Sequence, residues 1–436
     1  MEVDPIQKHS SFLIYVNDLE KNIKSNIKFF ADDTMLFSVV RDPAVSATEL
    51  DHDLDLICRW AHKWKMEFNP DATKQATEVI FSCKRIKQHH PQLTFNNNAV
   101  AEVDDQKHLG LTLAKSLCFN KHILEKLSKA KKNVGIIKHL SKYLPLKSLE
   151  QMYKALVRSH LDYCDIIYHE PSKVNQPPLG VTLTAPMEEI ERIQYQAALA
   201  VTGAWKGSNR TRLYEELGWE SLSDRRMSRR TLQIHKIETN CTPSYLKEKL
   251  PPHLMNQDGV QNSFHGYRCR TDRFMKSFFP DAIASWNTFI AHFENMPSLN
   301  TLKTHLLTFF RPKKRSIFNI HDPTGIRFLF QLRVGLSPLR SHKRRHHFDD
   351  TPSELCLCKT GAEDTKHFLF KCPFYATKRA SLATKVIPIL IRNNLNHLSD
   401  DEKLYLYGND SINDNDNKTI LLATMKFIKD TNRFSL

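Results

Sequence analysis

The 436-residue sequence contains no apolar run that approaches a membrane span; VIPILI (386–391) is short and interrupted by proline, against the ~18 residues a span needs. The N-terminal MEVDPIQKHSSFLIYVNDLE lacks the charged-then-apolar design of a secretory signal. No period of 20–50 residues recurs, which excludes solenoids and propellers. The nine cysteines are odd in number and irregular in spacing, which argues against a secreted disulfide framework. These absences point away from secretion and membranes, toward a reducing compartment, cytosol or nucleus. Six of the cysteines (58, 83, 118, 164, 241 and 269) read as isolated buried thiols.

What is present is globular in character, with 41% hydrophobic and 25% charged residues and enough length for two or three domains. Sixty-three Lys and Arg against 48 Asp and Glu leave a net charge of +15. Such a balance suits a polyanionic partner, nucleic acid first and an anionic membrane surface second.

In IKFFADDTMLFSVV (27–40), Asp32 and Asp33 stand between two apolar, β-favouring runs, so the pattern predicts two strands with Ala31-Asp32-Asp33-Thr34 as the turn. Asp is a good turn residue for its own sake. Adjacent carboxylates on a rigid hairpin are also suited to a shared divalent cation such as Mg²⁺. Asp42-Pro43 then starts a helix whose apolar face is Leu50, Leu54, Ile57, Ala61 and Trp64. FNPDATKQATEVIFS (68–82) reads as a turn, a polar connection and a short strand. LTFNNNAV (93–100) reads as a hairpin around its asparagines, and HLGLTL (108–113) as another strand. The sum is a small α+β unit, a sheet with a covering helix.

From residue 120 the period becomes helical. Ile123, Leu127, Ala130, Val134 and Ile137 form one stripe, with Lys126, Lys129, Lys131, Lys132 and Lys138 mostly off it. Those lysines are either a solvated face or phosphate contacts. RRMSRRTLQIHK (225–236) is the densest basic helical run, making Arg225, Arg226, Arg229 and Arg230 candidate phosphate ligands. RPKKR (311–315) and RSHKRRHH (340–347) are two more basic clusters. Residues 250–282 read as a linker or irregular connection, and NDSINDNDNK (409–418) as a loop before a last helix, 419–430. In CLCKTGAEDTKHFLFKC, Cys356, Cys358, His367 and Cys372 offer three thiolates and an imidazole, a tetrahedral zinc set with no open position. The competing reading is three packed thiols and a surface histidine.

Taken in order, FLIYVNDL (12–19), FFADDTMLF (29–37), WKMEFNPDATKQATEVIFS (64–82), KHLGLTLAKSLCF (107–119), HLDYCDIIYH (160–169), FFPDAIASWN (278–287) and the Cys-His cluster resemble the second half of a jockey-like non-LTR retrotransposon reverse transcriptase. The resemblance implies a partial palm over residues 1–119, an antiparallel sheet plus helices. It further implies a helical thumb over 120–250, a connection over 251–340, and a C-terminal region over 341–436 with a zinc-knuckle-like element. It implies Asp32 and Asp33 as catalytic Mg²⁺ ligands, Lys74 in the segment after the FNPD turn, and His108 and Gly110 in the hairpin that grips the primer end. The partners implied are an RNA template and a DNA primer, and the chemistry is two-metal nucleotidyl transfer.

The sequence also departs from that family. No segment before Asp32 matches the fingers, the Pro-Gln-Gly segment or the strand that carries a third carboxylate, and Asp4 lies in no strand pattern. Ala114 stands where relatives usually carry Asp, and Lys359 where Gly commonly follows the second cysteine. Two functions are therefore expected to compete: part of a polymerase that is inactive alone, or a non-catalytic RNA- or DNA-binding relic or domesticated nucleic-acid-binding protein.

Overall fold

The computed structural model describes residues 14, 16–31, 33–69, 76–82, 88–169, 185–256, 259–311 and 320–434. Asp32, Lys74, Cys83 and residues 312–315 of the RPKKR cluster lie outside them. The chain divides into two compact units, Met1–His122 and Ile123–Leu436.

The first unit begins with the acidic hairpin. β1 (Asn26–Phe30) and β2 (Asp33–Phe37) pair antiparallel, with Phe30 opposite Asp33. Asp33 therefore opens β2 rather than sitting in the turn, and Ala31 adopts φ 53°. Ile27, Phe29 and Leu36 face helix α1 (Pro43–Trp64) in a small core with Ile57, Leu93, Phe95 and Val100. Asp42 caps α1 by accepting from the Ala44 and Val45 amides, and Pro43 occupies its first turn, where no amide donor is needed. Trp64, expected on the buried face, is 38% exposed. Asp53 ties α1 to the entry of β1: its buried carboxylate accepts from the Lys24 and Ser25 amides. Burial opposes its ionisation, yet those amides, Ser25 first, hold its pKa below the ordinary value.

The remaining strands are β3 (Thr77–Glu78), β4 (Thr94–Phe95), β5 (Asn98–Ala99), β6 (Ala101–Glu102), β7 (Asp105–His108) and β8 (Leu111–Ala114). They do not merge into one sheet. Among the described residues each ladder is a pair: β3 with β6 in parallel, β4 with β5 and β7 with β8 antiparallel. The β4–β5 turn places Asn96 and Asn97 at φ 49° and 61°, the left-handed pair that short hairpins require. HLGLTL is half of a hairpin rather than one strand, because Leu109 and Gly110 turn the chain at φ 45° and 76°.

The second unit is mainly helical: α2 (Asn120–Leu140), α3 (Leu146–Met152), a π-helical turn (Tyr153–Arg158), α4 (Ser159–Asp162), α5 (Asp165–Tyr168), α6 (Ala185–Thr202), α7 (Arg210–Leu217), α8 (Leu222–Glu238) and α9 (Ser244–Lys247). After the hairpin β9 (His253–Asn256) and β10 (Gly259–Phe264) come α10 (Asp272–Met275), α11 (Phe278–Ile290), α12 (Leu299–Phe310), α13 (Pro323–Arg333), α14 (Arg340–Arg345), α15 (Ala376–Arg392), α16 (Glu402–Tyr407) and α17 (Asp414–Asp430). The chain is thus α+β. All five residues of the expected α2 stripe are buried.

Residues 250–282 are not a linker. Phe264 from β10 joins Ile234, Ile237, Trp286, Phe289 and Leu302 in one core, so the packing runs across residue 250. Asn287 locks the strand by bonding both the amide and the carbonyl of Phe264, and Trp286 donates to the Asn262 carbonyl. Residues 414–418 are likewise not loop. Asn413 caps α17, and Asp414 and Asp416 fill its first turn, where carboxylates complement the helix dipole. Nor are the isolated cysteines buried: Cys241 is exposed and Cys58, Cys118, Cys164 and Cys269 are half-buried.

The densest basic run, α8, lies against acidic residues from two other segments. Arg225 bonds Asp162 (2.9 Å) and Glu220 (2.7 Å), and Arg229 bonds Asp165 and the Asp162 carbonyl, both at 2.8 Å. Arg230, fully buried, bonds Asp281 on α11 and the carbonyls of Ile166 and His169, both at 3.0 Å. Arg226 is 1% exposed, with Nη1 facing the Met187 sulfur. Arg229 and Arg230 thereby satisfy carbonyls at the ends of α4 and α5, which are otherwise left without helical donors.

Because Arg230 is desolvated with several partners, Arg230→Met should cost about 3–5 kcal/mol by denaturant unfolding, whereas the more exposed Arg225→Gln should cost about 1 or less. Equal costs would overturn this ranking. Burial raises the Asp165 pKa to about 6 although Arg229 opposes it. Between about 4 and about 6 the folded state then holds more protons at this site than the unfolded, so rising pH removes stability there. The wild type should lose stability relative to Asp165→Asn across that window and run parallel to it above, as read from melting temperature against pH.

Candidate metal centre

Two local structures bring Cys356, Cys358, His367 and Cys372 together. The first is a short hairpin: Leu355 bridges Ala362, the Cys356 amide donates to the Gly361 carbonyl (2.8 Å), and the Lys359 amide donates to the Cys356 carbonyl (2.9 Å). Lys359 sits at φ 64°, a conformation glycine adopts freely and a lysine adopts at a cost. The second is a helical turn. Asp364 accepts from the His367 amide (2.7 Å), and the chain continues through His367–Lys371 to Cys372, whose amide closes on the His367 carbonyl (2.8 Å).

The four ligand atoms lie within 4.8 Å of one another. Cys356 and Cys372 Sγ are 3.8 Å apart, and Cys358 Sγ lies 3.2 Å from His367 Nε2. A tetrahedral ion with ~2.3 Å bonds to sulfur separates two sulfurs by about 3.8 Å, so the first distance fits without rearrangement. The second is a hydrogen-bond distance that opens slightly around a cation. Cys356, His367 and Cys372 are buried and Cys358 half-buried, so the donor set closes on itself. It can hold a metal such as zinc, and it leaves no position open for substrate.

The electrostatics suit a cation. Burial raises the thiol pKa of Cys356 and of Cys372. Burial acts in the same sense on Cys358, but hydrogen bonds led by Thr360 outweigh it and bring its pKa down to about 6. One thiolate is thus ready near neutrality, and the other two lose their protons as a divalent ion arrives. Behind the loop, Glu363 is gripped by Arg433 through Nε (2.7 Å) and Nη2 (2.8 Å) and accepts from the Arg340 amide (2.9 Å). Arg379 bonds the Cys372 carbonyl (2.7 Å), and buried Phe368 packs on Tyr375, Phe427 and Phe434.

Comparison with protein-family models, curated proteins and solved structures finds no match for this chain.

The other candidate residues are scattered. Asp33 is exposed at the start of β2. His108 ends β7 and Gly110 forms the β7–β8 turn, and no ladder joins that hairpin to β1–β2 among the described residues. Lys129 and Lys132 are exposed on α2. The four arginines of α8 require correction. Arg226 and Arg230 are buried, and Arg225 and Arg229 are engaged by carboxylates, so none presents a free guanidinium to a phosphate. Sequence reasoning missed their partners Asp162, Asp165 and Asp281. Each is an acidic residue set in an aromatic or aliphatic run, a setting that marks an acid in need of a partner but does not identify the partner. Among the described residues no helix is long and apolar enough to cross a membrane.

Purified chain should carry about one zinc and release protons on reloading. Chelation, or Cys372→Ser, should speed hydrogen exchange over residues 354–375. If the metal-free and metal-treated proteins exchange alike, the four groups are a packed thiol cluster.

Proposed function

We propose that this chain is the palm-to-tail part of a non-LTR retrotransposon reverse transcriptase and that its direct contribution is nucleic-acid binding. The observation that carries the reading is the β1–β2 hairpin, which pairs Phe30 with Asp33 at the end of a two-stranded ribbon. In this reading Asp32 and Asp33 hold Mg²⁺ with substrate phosphates, and the ion supplies activation of a primer 3′-hydroxyl. The first unit is then palm-like and the helices from α2 onward are thumb-like. The Cys-His centre holds zinc in a structural role that stiffens the tail. Work of this kind belongs to the nucleus or cytoplasm.

One observation favours the second reading, a non-catalytic nucleic-acid-binding relic. Among the described residues the metal-capable group of three or more side chains is the Cys-His cluster, and Asp33 belongs to no such group. Two-metal transfer needs such a group, because misplacement by about 1 Å already costs on the order of 10²-fold in rate.

Affinity of the chain for single-stranded RNA and for an RNA–DNA hybrid should fall by a factor on the order of 10³ between about 50 and 200 mM salt. Binding that ignores salt, or none at all, would end both readings. Mg²⁺-dependent primer extension that disappears in Asp33→Asn would decide for the polymerase over the relic.

A further inference from the structure

With Arg225, Arg229 and Arg230 paired internally and Arg226 buried, accessible positive charge must be sought elsewhere, and α2 supplies it. This helix runs antiparallel beside the segment Tyr153–Tyr168, and two contacts fix the pairing. Lys126 Nζ lies 4.4 Å from the centre of the Tyr163 ring, and the Asn133 amide donates to the Leu156 carbonyl at 2.5 Å. Between these, His160 lies under the influence of Lys126 and Lys129; burial and then the two ammonium groups hold its imidazole below the ordinary pKa. Positions 126, 129 and 133 share one face of α2, as helical spacing requires. On the facing run, Leu156, Tyr163 and Ile167 are 40%, 44% and 46% exposed, a row of side chains level with the surface.

Lysines outnumber carboxylates on α2, whose acidic residue, Glu125, is exposed one turn before Lys129. Lys129 and Lys132 are exposed and, among the described residues, make no ion pair, while Lys131 reaches Glu189 at 3.8 Å. Asp162, the carboxylate beside Tyr163, is taken up by Arg158 and Arg225.

We propose that the seam between α2 and Leu156–Ile167 binds single-stranded nucleic acid, with a base stacked on Tyr163 and backbone phosphates on Lys129 and Lys132. An aromatic face flanked by unpaired lysines is the arrangement that takes up a strand without reading its sequence. Lys126, now over the ring, exchanges that contact for a phosphate when a base arrives; stacking outweighs an exposed cation–π contact. A lipid surface fits less well, since Leu156, Tyr163 and Ile167 stand seven and four residues apart and each is only about half exposed. The proposal rests on the nucleic-acid reading above and gives it a location.

The test uses the full chain, a short fluorescein-labelled oligouridylate, and anisotropy over a salt series. Tyr163→Ala should weaken binding about tenfold or more while Tyr163→Phe retains it. Lys129→Gln with Lys132→Gln should lower the salt slope by about 1.4, the share of two single-strand phosphate contacts. Both lysines are exposed, so this pair keeps the test valid even where a Tyr163 variant melts early. Wild-type binding that no variant alters would overturn the seam and leave the broader reading standing. Absence of wild-type binding would remove both. Binding to phosphatidylserine vesicles that falls in Tyr163→Ala, with oligonucleotide affinity unmoved, would assign the seam to lipid and overturn the proposal.

Discussion

A guanidinium with no access to water governs the second unit. Arg230 is fully buried, and each direction of its fork meets an oxygen: Asp281 on α11 and the carbonyls of Ile166 and His169. A buried cation is tolerated only when its partners are in place, so this residue fixes three segments at once. α8 can lie in one position against α5, and α11 in one position against α8. Arg225 and Arg229 extend the arrangement outward through Asp162 and Asp165. The planar, permanently charged guanidinium suits this task, whereas a lysine, a point charge on a flexible stem, would satisfy fewer acceptors. Part of the basic character of the sequence is thus structural.

The Cys-His centre fastens a different part of the same unit by different means. Its loop holds little apolar side-chain volume, and a segment of that kind gains order from a metal more readily than from packing. The anchors nevertheless come from far along the chain: Arg433 reaches Glu363 across 70 residues, and Phe368 rests on Phe427 and Phe434. Metal loading and the seating of α17 are consequently coupled through the loop that both hold.

Local signals were legible where a few neighbouring residues decide the outcome. The Asp42-Pro43 start of α1, the asparagine turn between β4 and β5, the apolar stripe of α2 and the convergence of the Cys-His quartet all depend on short-range spacing. What was not legible depends on partners distant in sequence. Four arginines in twelve residues look identical to four surface arginines until Asp162, Asp165 and Asp281 are placed beside them. Residues 250–282 have the composition of a linker, yet Phe264 and Trp286 bury there because Asn287 supplies the strand's missing hydrogen bonds. Asn413 and the acids of 414–418 read as loop by polarity, although the same residues are good helix starters. Two of the four residues expected in the Ala31–Thr34 turn, Asp33 and Thr34, belong to β2, because the ladder continues to the Phe30–Asp33 pair.

Rigidity separates the two halves of the functional argument. Metal-assisted transfer requires carboxylates held to a fraction of an ångström by their surroundings. The ribbon bearing Asp33 has one face on the small core of the first unit, and Phe30 and Phe37 are 63% and 41% exposed. Two-stranded ribbons are marginal unless packed on further structure, so this ribbon cannot by itself fix a catalytic geometry. Binding a single strand makes no such demand: lysines act through charge at several ångströms, and stacking tolerates displacement in the plane of the ring. In the proposed reading the described residues therefore contribute holding rather than reaction, since the ordered framework of the second unit carries the exposed lysines and the metal loop, and the ribbon carries the carboxylate.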